Sequence, residues 1–303
     1  KKIKKYPLVS VIMNCHNGEK YLNESIRSLI SQTYKNWELI FWDNKSTDRS
    51  KIFFKKFKDK RFKYYYANKF TNLYTARNLA IKKAKGKIFT FLDVDDLWMP
   101  NKLLKQVNYF NKNKKAQILY SNYFNLKKYF GISFKNLQFK KSLPSGFIAR
   151  ELLNSYCVAW LTVALRKTLI KNKLFNEELD MVSDFDFVIN TSLKKKIFCI
   201  QEPLAISRKH SDQLQRKNFY LQAEHYLKWY KITKLKIKFK KLKHLNNFLN
   251  RIIFFETILA FKKENKFFKI IFKIFLSGKV KLAFKLLVFA TFPNFFIKFI
   301  ASI

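Results

Sequence analysis

The alternation of apolar runs with amphipathic stretches over the first hundred residues constrains the fold of this chain most. The run "LVSVIM" (8–13) is long enough for a buried strand. The next stretch, "YLNESIRSLISQT" (21–33), repeats apolar residues at helical spacing. Further strands are predicted at 37–43, 62–68 and 87–93, with a short helix after 43 and a longer one at 73–84. Such alternation implies crossover connections, and therefore an α/β fold with a mainly parallel sheet flanked by helices.

Polar residues follow three of these predicted strands. Asn14, Asp43 and Asp93 each stand where a strand ends. Because ligands bind at the carboxyl ends of strands in such sheets, the three residues predict a binding site at one edge. Taken alone, Asp43 is more simply a turn or helix-cap residue. The functional alternative is a carboxylate that accepts a hydrogen bond from an N–H group of a nucleotide base.

The segment "FTFLDVDDLW" (89–98) places Asp93, Asp95 and Asp96 within four positions. The whole chain holds 62 Lys and Arg against 20 Asp and Glu, so this local density of acids is unusual for it. Adjacent carboxylates repel one another, and a cation is the economical partner. Oxygen ligands suit Mg²⁺ or Mn²⁺ better than zinc. A solvated acidic patch is the alternative, because an Asp-x-Asp pattern is common by chance.

The later part of the chain has a mixed pattern up to about residue 220. Residues 116–124 are strand-like and residues 146–155 are helix-like. "SDFDFVINTSLKKK" (183–196) predicts a helix that begins with Asp184 and Asp186, and a strand follows in "IFCIQEPLAISRKH". Acids in the first turn of a helix are favoured by its dipole, which is the ordinary explanation for both.

The net charge of +42 indicates polyanionic surroundings, either nucleic acid or an anionic membrane surface. The abundance of Lys together with Phe, Ile and Asn also fits the coding bias of an AT-rich genome. Residues 221–303 are basic and rich in Phe and Leu, as in interfacial amphipathic helices. A helical layer packed on the core, with extended Lys stems, is the alternative. We expect a domain at 1–220 and a basic helical region at 221–303 that associates with a membrane surface.

The three cysteines are widely spaced without a Cys-x-x-Cys pair, so they read as free thiols in a reducing compartment. No secretory signal is visible, and no segment reaches the roughly 18 uncharged apolar residues that a membrane span needs. We therefore expect a cytoplasmic protein that is peripheral on the inner face of the cell membrane.

Several motifs in order resemble the inverting glycosyltransferases of family 2. They are "PLVSVIMNCHNGEKYLNES", "WELIFWDNKSTDRS", "NLYTARNLAIKKAKGKIFTFLDVDD", "LFNEELDMVSDFDF" and "EPLAISRKHSDQL". The resemblance covers roughly residues 6–215 and implies the GT-A fold, a Rossmann-like α/β architecture. It also implies a nucleotide-sugar donor, most simply a UDP-sugar, a glycan or lipid-linked acceptor, a role in cell-surface polysaccharide synthesis, and Mg²⁺ or Mn²⁺ as cofactor.

The resemblance also implies which residues bind the donor. Asn14 with its following loop, and Asp43, would hold the base and ribose, with Asp43 facing the uracil N3–H. Arg77 would lie near the diphosphate. Asp93 would contact the ribose or the sugar.

Metal binding and catalysis are implied for three further residues. Asp95 would bind the divalent ion, and His210 in "SRKHSD" falls where some members place a histidine on the metal or phosphates. Asp184 matches the acid that serves as general base, although Ser183 stands where Glu is commoner. A carboxylate can take the proton of an acceptor hydroxyl, and direct displacement would invert the anomeric centre. The nucleoside diphosphate that leaves would need a Lewis acid and basic groups.

Two other functions remain open from the residues. A Mg²⁺-dependent nucleotidyltransferase also uses acids at strand ends, but "NCHNGEKY" lacks the glycine-rich basic loop expected for a triphosphate. A basic nucleic-acid-binding protein would explain charge interleaved with aromatics. However, Lys is spread along the whole chain without a recognition module, so we expect no specific nucleic-acid partner.

Overall fold

The structure is a computed structural model, which describes residues 6–129, 132–170, 175–211, 213, 218–236, 245–264, 267–276, 278, 283–284 and 286–287. The chain forms two compact units that interleave along the sequence. The first comprises Lys1–Ala149, Cys157–Glu177 and Asp184–Lys209. The second comprises Arg150–Tyr156, Glu178–Ser183 and His210–Ile303. The expected domain boundary at residue 220 stays a prediction.

Helices and strands alternate through the first part of the chain, as the sequence predicts. The elements in order are β1 (Val9–Cys15), α1 (Glu19–Ile30), β2 (Trp37–Asp43), α2 (Ser50–Lys55), β3 (Phe62–Tyr66), α3 (Leu73–Lys83), β4 (Ile88–Phe91), β5 (Leu97–Trp98) and α4 (Lys102–Lys112). The predicted strands and helices of the first hundred residues are confirmed. The two-residue strand β5 is too short to leave a periodic signal.

The remaining elements follow in a less regular order. They are β6 (Ile118–Tyr129), β7 (Ile132–Leu137), α5 (Ala149–Asn154), β8 (Ala164–Arg166), α6 (Ser183–Ser192), β9 (Phe198–Lys209), α7 (Phe219–Lys236), α8 (Asn246–Glu264) and α9 (Phe267–Leu276). Helix α6 and strand β9 confirm the predictions for residues 183–196 and the segment after them.

The strands form one sheet in the order β3-β2-β1-β4-β8-β6-β9-β5, and β7 pairs with β6. The part β3-β2-β1-β4 is parallel, as expected. Beyond β4 the sheet is mixed, because the three-residue strand β8 runs antiparallel to both β4 and β6. Strands β6 and β9 are again parallel, whereas β5 and β7 pair antiparallel. The α/β class is confirmed, with a mixed second half to the sheet.

The central strands are buried on both faces, which explains their continuous apolar runs. Val11 in β1 and Phe41 in β2 are fully buried, as is Leu39. Helix α1 covers the sheet with Leu22, Ile26 and Leu29, the apolar stripe seen in its sequence. This packing fixes the carboxyl ends of β1, β2 and β4 at one edge, where the candidate site lies.

The second unit contains the helices α7, α8 and α9. Helices α7 and α8 bury Trp229, Phe248 and Ile258, and the Trp229 and Phe248 rings meet edge to face at 6.1 Å. The predicted helical character of the chain after residue 221 is confirmed for α7, α8 and α9. Among the described residues, none of the helices combines the length and apolar character needed to span a membrane.

Candidate active site

The loops that follow β1 and β2 are bonded to each other at the carboxyl edge of the sheet. Asn17 has a positive φ of 55°, a conformation that Asn tolerates better than most residues. Its side-chain oxygen accepts a hydrogen bond from the Thr47 N–H at 2.8 Å. The Gly18 N–H donates to the Ser50 hydroxyl at 2.9 Å. These bonds hold the two loops together as one wall of the site.

Asp43 ends β2 and is fully buried. One carboxylate oxygen accepts from the Ser46 N–H at 2.8 Å, and the other accepts from the Tyr64 hydroxyl at 2.7 Å. Burial and the bond to Asp43 raise the pKa of Tyr64, so its hydroxyl remains a donor. Asp43 therefore organises the turn after β2, which is the simpler of its two expected roles. Its contact with a nucleotide base stays a prediction. The contact is compatible with these two bonds, because each carboxylate oxygen can accept a further hydrogen bond.

Asn14 lies next to the last residue of β1, opposite Trp42 of β2. Both polar atoms of its side chain are buried and find no hydrogen-bond partner among the described residues. Leaving a buried polar group unpaired costs about 1–3 kcal/mol, so a ligand that pairs with this amide would gain affinity. The donor-binding role of Asn14 stays a prediction, and the unpaired amide is consistent with it.

An exposed ring pair that the sequence analysis missed lies at the same edge. The His16 and Phe70 rings are 4.6 Å apart between centroids, and Phe70 is 58% exposed. The His16 Nδ1 lies 3.1 Å from the Asn44 carbonyl oxygen. Nothing in the local pattern around Phe70 indicated this pairing.

The three acids after β4 have different partners inside the protein. An Asp93 oxygen lies 2.9 Å from an Arg77 nitrogen. Asp96 is only 6% exposed, and one of its oxygens accepts from the Arg208 N–H on β9 at 3.0 Å. Burial raises the pKa of Asp96, and the carboxylates of Asp95 and Asp93 raise it further. Asp93 and Asp96 are thus bonded to residues on α3 and β9, and Asp95 between them is half-buried.

Arg77 lies on α3 with 3% of its surface exposed. Its guanidinium carbon lies 5.3, 5.8 and 5.6 Å from the ring centroids of Tyr74, Phe91 and Phe175, within cation–π range. Burial raises the pKa of Asp93, whereas Arg77 lowers it. The family resemblance implied that Arg77 lies near a diphosphate, and this stays a prediction. In the structure Arg77 pairs with Asp93.

Asp184 lies in the first turn of α6. Burial raises its pKa, while the Phe185 N–H at 2.7 Å, the Arg77 charge and a hydrogen bond from Tyr74 lower it. Asp184 also raises the pKa of Asp93, which places the two carboxylates in one electrostatic cluster. A half-buried carboxylate with a raised pKa, in one electrostatic cluster with a strand-end acid, is a suitable general base.

Asp186, two residues further along α6, has a different environment. One of its oxygens accepts from the Asn190 side-chain amide at 2.7 Å on the exposed side of the helix. A favourable charge at the start of a helix is the ordinary explanation for both acids in the sequence, and the structure shows different environments for them. Tyr74 was not foreseen, although its position three residues before Arg77 on a predicted helix puts both side chains on one face.

Among the described residues, no three side chains of His, Cys, Asp and Glu are arranged to hold a metal ion by themselves. Mg²⁺ usually takes one or two carboxylates and completes its shell with water and substrate phosphates. Asp95 with Asp93 fits that donor set in type and position. His210 begins the last segment of the second unit, directly after β9, and its predicted role on the metal or phosphates stays a prediction.

A profile described as "Glycosyl transferase family 2" matches residues 10–171. An Escherichia coli protein described as a UDP-Glc:alpha-D-GlcNAc-diphosphoundecaprenol beta-1,3-glucosyltransferase, WfgD, is 36% identical over 168 residues. The match covers 54% of this chain and 62% of that protein, so the chain spans less than two thirds of this relative.

Solved structures share the fold at lower identity. The S. aureus protein TarS, residues 1–349 in complex with UDP-GlcNAc, is similar with a TM-score of 0.58 and 18% identity, over 94% of this chain and 92% of that one. The mannosyltransferase PcManGT from Pyrobaculum calidifontis, in complex with GDP-Man and Mn²⁺, has a TM-score of 0.56 and 14% identity, over 95% of this chain and 80% of that one. At these identities the likeness supports the fold, the GT-A architecture.

Proposed function

Because the chain belongs to glycosyltransferase family 2, we propose that it transfers a sugar from a UDP-sugar to a hydroxyl group of a lipid-linked glycan. The observation that carries this proposal is the cluster of Asp184, Asp93 and Arg77 at the carboxyl edge of the parallel strands. The description of the E. coli relative supports the donor and acceptor classes, since it pairs UDP-Glc with a GlcNAc-diphosphoundecaprenol. Such acceptors belong to cell-surface polysaccharide synthesis.

Asp184 is the general base in this proposal. Its half-buried carboxylate accepts the proton of the acceptor hydroxyl as the oxygen attacks the anomeric carbon of the donor. One base and one displacement invert the anomeric configuration, giving a β-linkage from an α-linked donor. A second nucleophilic carboxylate, as in retaining hydrolysis, is not required.

The donor is held along the edge of the sheet. Asn14 and Asp43 bind the base and ribose, and Asp93 contacts the ribose or sugar. The guanidinium group of Arg77 has five N–H donors, so it can serve Asp93 and a diphosphate oxygen together. Asp95, with His210 as a second candidate, would hold Mg²⁺ or Mn²⁺, which supplies Lewis-acid stabilisation of the leaving diphosphate when bound.

A donor screen tests this function. The purified chain is mixed with Mn²⁺, a synthetic polyprenyl-diphospho-GlcNAc acceptor, and UDP-, GDP- or dTDP-sugars in turn. We expect UDP release and a glycosylated lipid with a β-linkage, assigned from the anomeric proton coupling. Release of pyrophosphate instead would indicate a nucleotidyltransferase. No transfer from UDP-sugars, with transfer from another donor, would contradict the donor class.

We also propose that the protein is peripheral on the inner face of the cell membrane, where a lipid-linked acceptor is found. From residue 221 the sequence contains 18 Lys and Arg but only 3 Glu. Helix α9 exposes large apolar side chains at Phe272 (62%), Phe275 (51%) and Leu276 (68%). Exposed apolar residues in a basic helix suit the interface of an anionic bilayer.

Vesicle sedimentation tests the membrane proposal. Replacing Phe272 and Phe275 by Asp should lower binding to vesicles that contain phosphatidylglycerol, at unchanged helix content by circular dichroism. The matched control is Phe134→Asp, which changes an equally exposed Phe on β7 in the first unit. Equal binding by the double variant and the wild type would contradict a role for α9. Tight binding to single-stranded DNA without binding to vesicles would instead favour a nucleic-acid partner.

A further inference from the structure

Glu177 is bound to α3 by three hydrogen bonds. Its two carboxylate oxygens accept from the Thr75 hydroxyl at 2.8 Å and from the Asn78 amide at 2.9 Å. Its carbonyl oxygen accepts from the Asn72 amide at 2.9 Å. Asn72 caps the start of α3, and Thr75 and Asn78 follow it at intervals of three residues within the helix.

The residue two positions before Glu177 is held by the same helix. The Asn78 amide also donates to the Phe175 carbonyl oxygen at 3.0 Å, and the Asn78 oxygen accepts from the Phe175 N–H at 3.1 Å. The Phe175 ring then packs 4.9 Å from the Tyr74 ring and 5.6 Å from the Arg77 guanidinium carbon. The segment 175–177 thus bonds Thr75 and Asn78 and also packs against Tyr74 and Arg77.

Tyr74 and Arg77 are the α3 residues that reach the two site carboxylates. Tyr74 is close enough to Asp184 to lower its pKa, and an Arg77 nitrogen lies 2.9 Å from an Asp93 oxygen. A rotation or shift of α3 would move both donors at once. Because misplacement of supporting groups by about 1 Å can cost on the order of 100-fold in rate, the anchoring of α3 bears directly on catalysis.

We propose that Glu177 is a positioning residue: its carboxylate fixes α3 so that Tyr74 and Arg77 hold Asp184 and Asp93 in their working positions. The proposal rests on the proposed role of Asp184 as general base. A carboxylate suits the position because it can accept from the Thr75 hydroxyl and the Asn78 amide together. A glutamine offers one acceptor oxygen, but the Thr75 hydroxyl can rotate to accept from its amide nitrogen.

The test compares Glu177→Ala and Glu177→Gln with Glu178→Ala. Glu178 is the adjacent acid, and its partner is Lys228 at 3.2 Å on the exposed surface. We expect Glu177→Ala to lower kcat by about 10- to 100-fold, and Glu177→Gln to restore most of it. Glu178→Ala should have the kcat of the wild type.

The pH profile distinguishes positioning from a general loss of structure. Asp184 faces Tyr74 and Arg77 of α3, and both residues lower its pKa. It also interacts with the carboxylate of Asp93. Displacing α3 should therefore move the acidic limb of kcat to higher pH in Glu177→Ala. If Glu177→Ala only reduced the amount of folded protein, the acidic limb of its kcat profile would stay at the pH of the wild type. That result would overturn the proposal.

Thr75→Val provides a second, milder variant. It removes one bond to Glu177 and keeps the branched side-chain shape. In a double-mutant cycle, Thr75→Val should lower kcat in the wild type but cause no further loss beside Glu177→Ala. Equal losses in both backgrounds would show that Thr75 and Glu177 act separately, and the proposal would be wrong.

Asp184→Asn separates this proposal from the function on which it rests. If Asp184→Asn abolishes transfer while Glu177→Ala keeps the wild-type kcat and pH profile, the positioning role is wrong and the function stands. If Asp184→Asn itself retains transfer, both are wrong.

Discussion

Arg77 on α3 lies with a guanidinium nitrogen 2.9 Å from a carboxylate oxygen of Asp93, while only 3% of the arginine is exposed. The Asp93 side chain keeps 36% of its surface exposed, so it can meet a ligand while the arginine holds it from behind. The pair connects the acidic turn after β4 to the helix that also carries Tyr74. This connection gives the acidic turn a fixed position before any ligand binds.

Removing Arg77 should destabilise the protein because it leaves the Asp93 charge without its partner. Losing one member of a buried ion pair costs about 3–5 kcal/mol, and partial exposure of Asp93 reduces the expected loss to about 2 kcal/mol for Arg77→Met. Urea unfolding at neutral pH measures this loss in the free energy of unfolding. The double variant Arg77→Met, Asp93→Asn should recover much of the loss, since the uncompensated charge is gone. A double variant as unstable as Arg77→Met would contradict this explanation.

Removing the Tyr74 hydroxyl should change the pH dependence of transfer. The hydrogen bond from Tyr74 lowers the pKa of Asp184, so Tyr74→Phe should raise that pKa. A general base must be deprotonated, and activity should therefore be lost at a higher pH as the solution is acidified. The measurement is kcat as a function of pH. Tyr109→Phe on α4 is the matched control, and an identical acidic limb in Tyr74→Phe would contradict the predicted contact.

The buried amine of Lys102 should make the free energy of unfolding depend on pH. Its side chain is fully buried, and its amine donates to Thr90 Oγ1 at 2.9 Å and to Gln106 Oε1 at 3.0 Å. Burial lowers its pKa well below the ordinary value. The two bonds match the two donors of a neutral amine.

Because the unfolded chain binds the proton that folded Lys102 does not, the free energy of unfolding should rise with pH between the folded pKa and about 10.4. The contribution is about 1.4 kcal/mol per pH unit within that window. Lys102→Met should lack this slope in urea unfolding between neutral and alkaline pH. Lys105, on the same helix as Lys102, forms an exposed ion pair with Glu202 of β9, and Lys105→Met should keep the slope. Parallel curves for Lys102→Met and the wild type would contradict a neutral lysine.

Gly86 is required by close packing before β4. A Cβ atom at this position would lie 2.6 Å from the Ser10 backbone nitrogen and 2.8 Å from the Leu8 carbonyl oxygen. Backbone atoms cannot yield as a flexible side chain can, so Gly86→Ala should cost about 1–3 kcal/mol in urea unfolding. Lys85→Ala changes the exposed preceding residue and should be nearly neutral. Equal stability of Gly86→Ala and Lys85→Ala would show that the backbone relaxes without cost.

The sequence predicted the parallel strands and the strand-end residues because both follow from local patterns. Each buried strand is a continuous apolar run, and Asn14, Asp43 and Asp93 directly follow such runs. The antiparallel insertion of β8 was not predictable, because three residues carry no measurable period. The mixed half of the sheet depends on pairings between strands that are distant in sequence.

The contacts that organise the site were hidden for the same reason. Asp96 bonds the Arg208 N–H across 112 residues, and Thr75 bonds Glu177 across 102. From the sequence, Asp96 was expected in a cation site together with Asp93 and Asp95. In the structure its carboxylate accepts the Arg208 backbone N–H and connects the acidic turn to β9. Lys102 resembled the many exposed lysines of the chain, since nothing in its local pattern indicates burial.

The transfer rates of Asp184→Asn and Asp186→Asn, measured as UDP release that depends on a lipid-linked acceptor, test the central claim most directly. The two acids lie two residues apart on α6. Asp184 belongs to the electrostatic cluster with Arg77, whereas Asp186 accepts a hydrogen bond from the Asn190 amide. We predict that Asp184→Asn lowers the rate by about 100-fold or more, at unchanged stability against urea, while Asp186→Asn transfers at the wild-type rate. Near-wild-type transfer by Asp184→Asn would contradict the assignment of the general base.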